Sequence, residues 1–328
     1  MPLEILFIGG TGQISLPCVK LALKAGHKVT VFNRGQRGEA LPKGVTVING
    51  DKEDAKTYAQ LGKKDWDVVA QFMVFTPEQM QRDIKTFSGR TDQYIFISSA
   101  SVYQHSIDQY VITEKTPANN PYWLYSQNKI KCENLMRAAK KLPWTNVRPS
   151  HTVRTGLPSL FNEGDVVAHR MLEGKPILVA GDGNTPWTLT RSEDFAKPFV
   201  KLFGKKRALG EDFHITSDAA FTWDNIYTAI GRALGVKPKL VHVATETILK
   251  FAPDWTGPLL GDKAWTALFD NSKVKKIAGD FRCETDLDKI LSQSMRFFQQ
   301  RREAGVPFSR DSEPMVDRII AAASALGD

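Results

Sequence analysis

The sequence predicts an α/β protein built on a doubly wound parallel sheet, the Rossmann arrangement, and three features carry that expectation. Residues 3–8 form a near-continuous apolar run, as a strand buried on both faces requires. That run passes directly into Gly9-Gly10-Thr11-Gly12 and then into apolar residues at helical spacing. The same alternation of short β-type runs and helical stretches continues to about residue 150, and βαβ units of this kind assemble into parallel sheets.

The elements follow in order. A first helix is expected over about residues 13–25, where Ile14, Cys18, Leu21, Ala22 and Ala25 share a face and Gly26 suits the C′ position. Strands are expected at 28–32 and 45–48, a helix near 54–61, and a strand at 67–71. Pro77 opens the next helix, where its missing N–H costs nothing. A strand at 93–98, a long helix at 122–141 and a strand at 144–147, ended by Pro149, complete the first half. The second half is less regular. A helix at 157–173, a strand at 177–180, a turn at Gly181-Asp182-Gly183-Asn184 and helices at 193–203, 223–234 and 287–302 are expected. Residues 1–150 are read as the dinucleotide-binding core with the catalytic group. Residues 151–328 are read mostly as a smaller α/β substrate-binding region, with some segments returning to the core.

Composition narrows the class. With 42% hydrophobic and 24% charged residues in 328, a core of ordinary size is available, so neither disulfides nor metals are needed to hold it. Cys18, Cys132 and Cys283 are too widely spaced for a disulfide framework or a zinc site, and no metal site is expected. No apolar stretch approaches the roughly 20 residues of a membrane span, and no signal peptide is legible, so a cytoplasmic protein is expected. The net charge of +8 suits an anionic ligand, but basic residues are interspersed with acidic ones, which disfavours nucleic acid.

The glycine loop sits between the first strand and the first helix, the context a dinucleotide site demands. Glycines let the backbone approach a pyrophosphate, and the helix N-terminus offers free N–H groups to it. Gly9, Gly10, Thr11, Gly12, Gln13 and Ile14 are therefore candidate cofactor-binding residues, with Ser15 in place of the usual third glycine. The second strand ends in Asn33-Arg34, with Arg37 close behind and no carboxylate to repel a 2′-phosphate. Guanidinium suits phosphate, so NADP is favoured over NAD. Asp51 and its neighbour Lys52, after the third strand, are placed to meet the adenosine, although Asp51 also fits a plain turn residue. Phe72, at the end of the fourth strand, is bulky for a position near the cofactor.

Tyr125 and Lys129 stand four residues apart on the long helix and so share a face. A fixed cation beside a phenol lowers its pKa and makes an acid/base near neutral pH. Ser98-Ser99-Ala100-Ser101 ends the fifth strand with hydroxyls. Taken together, the glycine loop, this hydroxyl segment and the Tyr125/Lys129 pair resemble the extended short-chain dehydrogenase/reductases, the NAD-dependent epimerase/dehydratase group. The resemblance covers residues 3 to about 235. It implies that Ser99 is the catalytic hydroxyl, Tyr125 the acid/base, and Lys129 the holder of the nicotinamide ribose. Asn146-Val147-Arg148-Pro149 resembles the family segment that closes over the nicotinamide, which makes Pro149 a cofactor contact. Ala100-Ser101 stand where the family's 4,6-dehydratases carry Asp-Glu, which disfavours dehydration.

Ser101, His151, Trp187 and Arg191 are candidate substrate contacts, and Arg154 could line the same pocket. The expected function is NAD(P)-dependent epimerisation or reduction at a carbinol or carbonyl carbon. A sugar or nucleotide-sugar substrate and a homodimer are implied by the resemblance alone. The alternative is an RNA- or nucleotide-binding protein on the same fold, as in the chloroplast stem-loop RNA-binding relatives. The last 90 residues carry no motif.

Overall fold

The computed structural model describes residues 1–35, 41–105, 108–161 and 164–325. In chain order it contains β1 (Glu4–Ile8), α1 (Ser15–Lys24), β2 (Lys28–Asn33), β3 (Thr46–Asn49), α2 (Ala55–Ala59), β4 (Trp66–Gln71), α3 (Pro77–Phe87) and β5 (Thr91–Ile97). The short β6 (Val111–Ile112), α4 (Leu124–Ala138), β7 (Trp144–Pro149), β8 (His151–Val153), α5 (Val166–Leu172), β9 (Pro176–Ala180) and β10 (Leu189–Arg191) follow. Then come α6 (Ser192–Lys201), β11 (Glu211–Ile215), α7 (Trp223–Leu234), β12 (Lys239–Val243), α8 (Thr245–Phe251) and the single turn α9 (Thr256–Pro258). The short β13 (Leu268–Phe269), α10 (Ser272–Ala278), α11 (Leu287–Glu303) and α12 (Glu313–Ser324) complete the described chain.

Seven strands form one sheet in the order β11-β7-β5-β4-β1-β2-β3, and every neighbouring pair is parallel. The order reverses between β1 and β4, so the carboxyl ends of these strands frame the crevice where doubly wound sheets bind ligands. One face of the sheet packs on α1 and α6 through Ile5, Phe7, Val31, Phe195 and Phe199. The other packs on α3 and α4 through Leu6, Ile8, Met80, Phe96, Cys132 and Met136. A third core gathers the second-half elements around Trp187, Leu189, Trp223, Tyr227 and Phe298. Cys18 and Cys132 are fully buried thiols on helix faces, as their spacing suggests. No helix among the described residues is long and apolar enough to cross a membrane.

Three expectations change. The helix expected at 157–173 begins only at Val166. Leu157, Leu160 and Phe161 are still buried, but as irregular chain, because Gly156, Pro158 and Gly164 break a helical run. The strand expected to stop before Pro149 runs through it, and Pro149 lies opposite Ile215 of β11. That edge strand was not legible, since its first two residues are the charged pair Glu211-Asp212. The long helix is shorter at both ends than 122–141.

Two buried polar groups fix the elements that carry the site. Asp83 of α3 accepts hydrogen bonds from the Tyr58 hydroxyl at 2.6 Å, the Tyr94 hydroxyl at 2.7 Å and the Gln71 amide. Burial raises its carboxyl pKa against the pull of those donors. Gln71 also accepts from Met73 N at 2.7 Å, which directs the chain leaving β4. On the other side of the catalytic helix, Arg148 of β7 forks onto Glu133 of α4, with Nε to Oε1 at 2.9 Å and Nη2 to Oε2 at 2.6 Å. Both side chains are almost wholly buried, so the pair locks the face of α4 that carries Lys129 against the sheet.

Candidate active site

The turn after β1 begins at Gly9, whose φ of +85° belongs to the left-handed region. A Cβ on Gly10 would lie 2.7 Å from Val31 Cγ2 and 2.8 Å from Val31 Cγ1, so this glycine lets the loop close on β2. Ser15 stands where a third glycine is usual. Its hydroxyl accepts from Gly12 N at 2.9 Å, which closes the first turn of α1. The loop opens into a cleft of about 210 Å³ lined by Gly9, Thr11, Gly12, Asn33, Arg34, Asp51 and Lys52. Seven of the expected cofactor residues thus meet in one place. The cradle fits a dinucleotide: a glycine turn at a helix N-terminus for the phosphates, and Arg34 and Lys52 as cations beside it. Asp51 lines the cleft and accepts Glu53 N at 3.0 Å, the turn role foreseen for it.

Other expected cofactor residues lie elsewhere. Phe72 turns into the core, with ring centroids 6.2 Å from Phe7 and 5.7 Å from Phe199. The bulky side chain facing the loop is its neighbour, Met73, which lies where the chain leaves β4 and Gln71 accepts from its N–H. The Ile14 side chain packs against the α1 core. Gln13 is a structural staple: its amide donates to Thr152 O at 2.7 Å and accepts from Gly156 N at 3.0 Å. Arg154 is drawn to the same seam, donating Nε to Gln13 O at 2.9 Å, and so stands behind the glycine loop and does not line the substrate cleft. Arg37 lies outside the described residues.

A second cleft, of about 250 Å³, is lined by Ser99, Ser101, Tyr125, Pro149, His151 and Trp187, together with Trp123, Asp262, Lys263 and Phe269. Ser99 Oγ and Ser101 Oγ lie 2.9 Å apart, and Ser101 Oγ lies 2.7 Å from Ser126 Oγ. Burial pushes the Tyr125 phenol up to about 12; a hydrogen bond from Ser99 opposes the rise and the Asp262 charge adds to it. Lys129 is on the same helical face, with Nζ 5.8 Å from the Tyr125 ring centre. Its ammonium donates to Val74 O at 2.7 Å and Ile97 O at 2.8 Å. Burial brings its pKa down to about 7. The expected lowering of the phenol by Lys129 is therefore not what the structure shows. Desolvation dominates both groups, and the ammonium is turned toward backbone carbonyls.

His151 is also neutral: burial brings it down to about 3, with Lys263 contributing. Arg191 occupies the N-cap position of α6 with no side-chain cap bond, and it does not line the cleft. Pro149 lines this cleft together with Tyr125 and not the one that holds Arg34. Asp262 and Lys263 were missed, since they sit in the motif-free last 90 residues and reach the site only through the fold.

Residues 9–159 match the family described as NAD(P)H-binding. The chain is 24% identical, over 99% of its length and 93% of the relative, to 2′-dehydrokanamycin reductase of Streptomyces kanamyceticus. It is 28% identical to a chloroplast stem-loop binding protein of 41 kDa from Arabidopsis thaliana, over 73% of this chain and 65% of that protein. Its fold matches the UDP-glucuronic acid 4-epimerase of Bacillus cereus, solved with UDP-glucuronic acid and NAD. The TM-score is 0.71 at 18% identity, covering 90% of this chain and 99% of that one. The similarity to the NAD(P)H-binding family thus spans residues 9–159, the stretch that holds the glycine loop and Tyr125, and the fold is shared with the NAD-bound 4-epimerase.

Proposed function

We propose that this protein is an NAD(P)-dependent carbonyl reductase acting on a sugar-like substrate, with NADP preferred. The observation that carries the reading is Tyr125, which lines a cleft together with Ser99 and is raised to about 12 by burial. Such a phenol stays protonated at neutral pH and is set to give a proton to a carbonyl oxygen. Ser99 would hold the same oxygen, and His151, which lines the same cleft, would offer a second hydrogen bond. Lys129 would anchor the nicotinamide ribose. The nicotinamide, when bound, supplies the hydride, and the chain's part is position and electrostatics. Arg34, with no acid beside it at the end of β2, supports the NADP preference. The full-length match to a reductase named for 2′-dehydrokanamycin supports reduction over epimerisation.

The test is NADPH consumption at the nicotinamide absorbance band with 2′-dehydrokanamycin and a panel of keto-sugars, with Tyr125→Phe as control. Turnover with no net NADPH consumed would support an epimerase instead. No redox activity, together with salt-dependent RNA binding unaltered in Tyr125→Phe, would favour the RNA-binding alternative. A homodimer is the expected assembly, checked by sedimentation.

A further inference from the structure

We propose that Asp262 is a specificity-determining residue that receives an ammonium group of the substrate, so that the cleft takes an amine-bearing sugar or cyclitol in preference to a nucleotide diphosphate. This inference rests on the reductase reading and adds a substrate class to it.

Asp262 lies on a single π-helical turn, Leu259–Lys263, a rare backbone form that costs helix stability and recurs at functional sites. The turn is pinned from below. A Cβ on Gly257 would lie 2.5 Å from Trp123 Cδ1, and one on Gly261 2.8 Å from Trp123 Cβ, so both glycines let the turn close on that ring. Asn120 donates to Gly261 O at 2.6 Å and to Ser101 O at 2.7 Å. It also accepts from Tyr122 N and Trp123 N at the start of the catalytic helix. One side chain thus ties together the Asp262 turn, the Ser99-Ser101 segment and the helix bearing Tyr125. The backbone that carries Asp262 is tied to the elements that carry Ser99 and Tyr125, and Asp262 lines the same cleft as the phenol.

The chemistry of the lining then selects the ligand. Among the described residues that line the cleft there is no arginine. Its charged pair, Asp262 and Lys263, sums to zero, whereas a diphosphate is best held by guanidinium forks and would be repelled by the carboxylate. Trp123, Trp187 and Phe269 offer apolar faces to a ring, and Ser99, Ser101 and His151 offer partners to its hydroxyls. Burial raises Asp262 to about 7, and Lys263 offsets only part of that rise. An arriving ammonium supplies the missing compensation and forms a charge-assisted hydrogen bond.

The experiment is calorimetric titration of the NADPH-bound protein with kanamycin as the polyamine probe, tetra-N-acetylkanamycin as its uncharged counterpart, and UDP-glucose. The expected result is binding of kanamycin, at least tenfold weaker binding of the acetylated form, and at least tenfold loss for kanamycin in Asp262→Asn. The variant should keep its affinity for NADPH and bind UDP-glucose no more weakly than the unmodified protein does. Equal binding of the two kanamycins, no binding of kanamycin, tighter binding of UDP-glucose, or an indifferent Asp262→Asn each overturns the proposal. The comparison of probes on the unmodified protein decides the matter even where the variant does not fold. A protein that binds no NADPH overturns the reductase reading, whereas one that binds NADPH but ignores the amine overturns only the role of Asp262.

Discussion

Trp187 donates its indole N–H to Nδ1 of His151 across 3.2 Å. Since Nδ1 accepts, the proton of the neutral imidazole sits on Nε2, and His151 reaches the cleft as a hydrogen-bond donor. Trp187 is itself held by Trp223, with ring centroids 5.6 Å apart. A residue of the third core therefore sets the tautomer of a residue of the site.

Replacing that partner tests the link. Trp187→Phe should lower kcat about tenfold, the loss of one oriented donor, with little change in NADPH affinity. His151→Gln, which keeps an N–H near the Nε2 position, should retain more activity than His151→Asn. Equal kcat values for the two would show that the tautomer is immaterial.

Tyr125 and Lys129 should separate in their effects. Tyr125→Phe is expected to reduce turnover at least 100-fold, as loss of a general acid does, while leaving NADPH affinity within a factor of about three. Dinucleotide affinity is read by fluorescence quenching and turnover by absorbance. A drop in both together would mean that Tyr125 supports the cofactor and not proton transfer.

Lys129 also gives a stability signature. Its folded pKa, about 7, lies below its unfolded value near 10.4, so the unfolded chain binds more protons between these limits. This group's contribution to stability is smallest below pH 7 and rises as pH climbs from about 7 to 10. Melting curves across that range should show the rise in the natural protein and its absence in Lys129→Met.

The buried fork between Glu133 and Arg148 predicts a dependence of the same sign in the acid range. The Arg148 guanidinium, aided by Ser98 and Arg137, outweighs burial and holds the Glu133 carboxyl near 2. Its contribution is present above the unfolded pKa and is lost as pH falls through the folded one. Glu133→Gln strands the guanidinium and should cost about 3–5 kcal/mol in urea unfolding, whereas a joint Glu133→Leu, Arg148→Met change should recover most of it.

Arg34 should set cofactor choice. Arg34→Glu puts a carboxylate where a 2′-phosphate would lie, so affinity for NADPH should fall at least tenfold and NADH should be little affected or favoured. A parallel loss for both would place Arg34 outside the adenosine pocket.

The sequence by itself determined what local patterning can encode. The apolar run of β1, the glycine turn and the helical periodicity after Cys18 dictate a strand, a turn and a helix in order. Four-residue spacing places Tyr125 and Lys129 on one face whatever surrounds them. Tertiary structure alone decided what depends on partners distant in the chain. It buried Lys129 under the carbonyls of Val74 and Ile97, turned Phe72 inward and Met73 toward the cradle, and spent Gln13 and Arg154 on a seam 140 residues apart. It also brought Asp262 into the cleft that Tyr125 lines. Periodicity reports which face a side chain takes on its own element, but desolvation and hydrogen bonding are set by whatever packs against that face, and no local pattern carries that information.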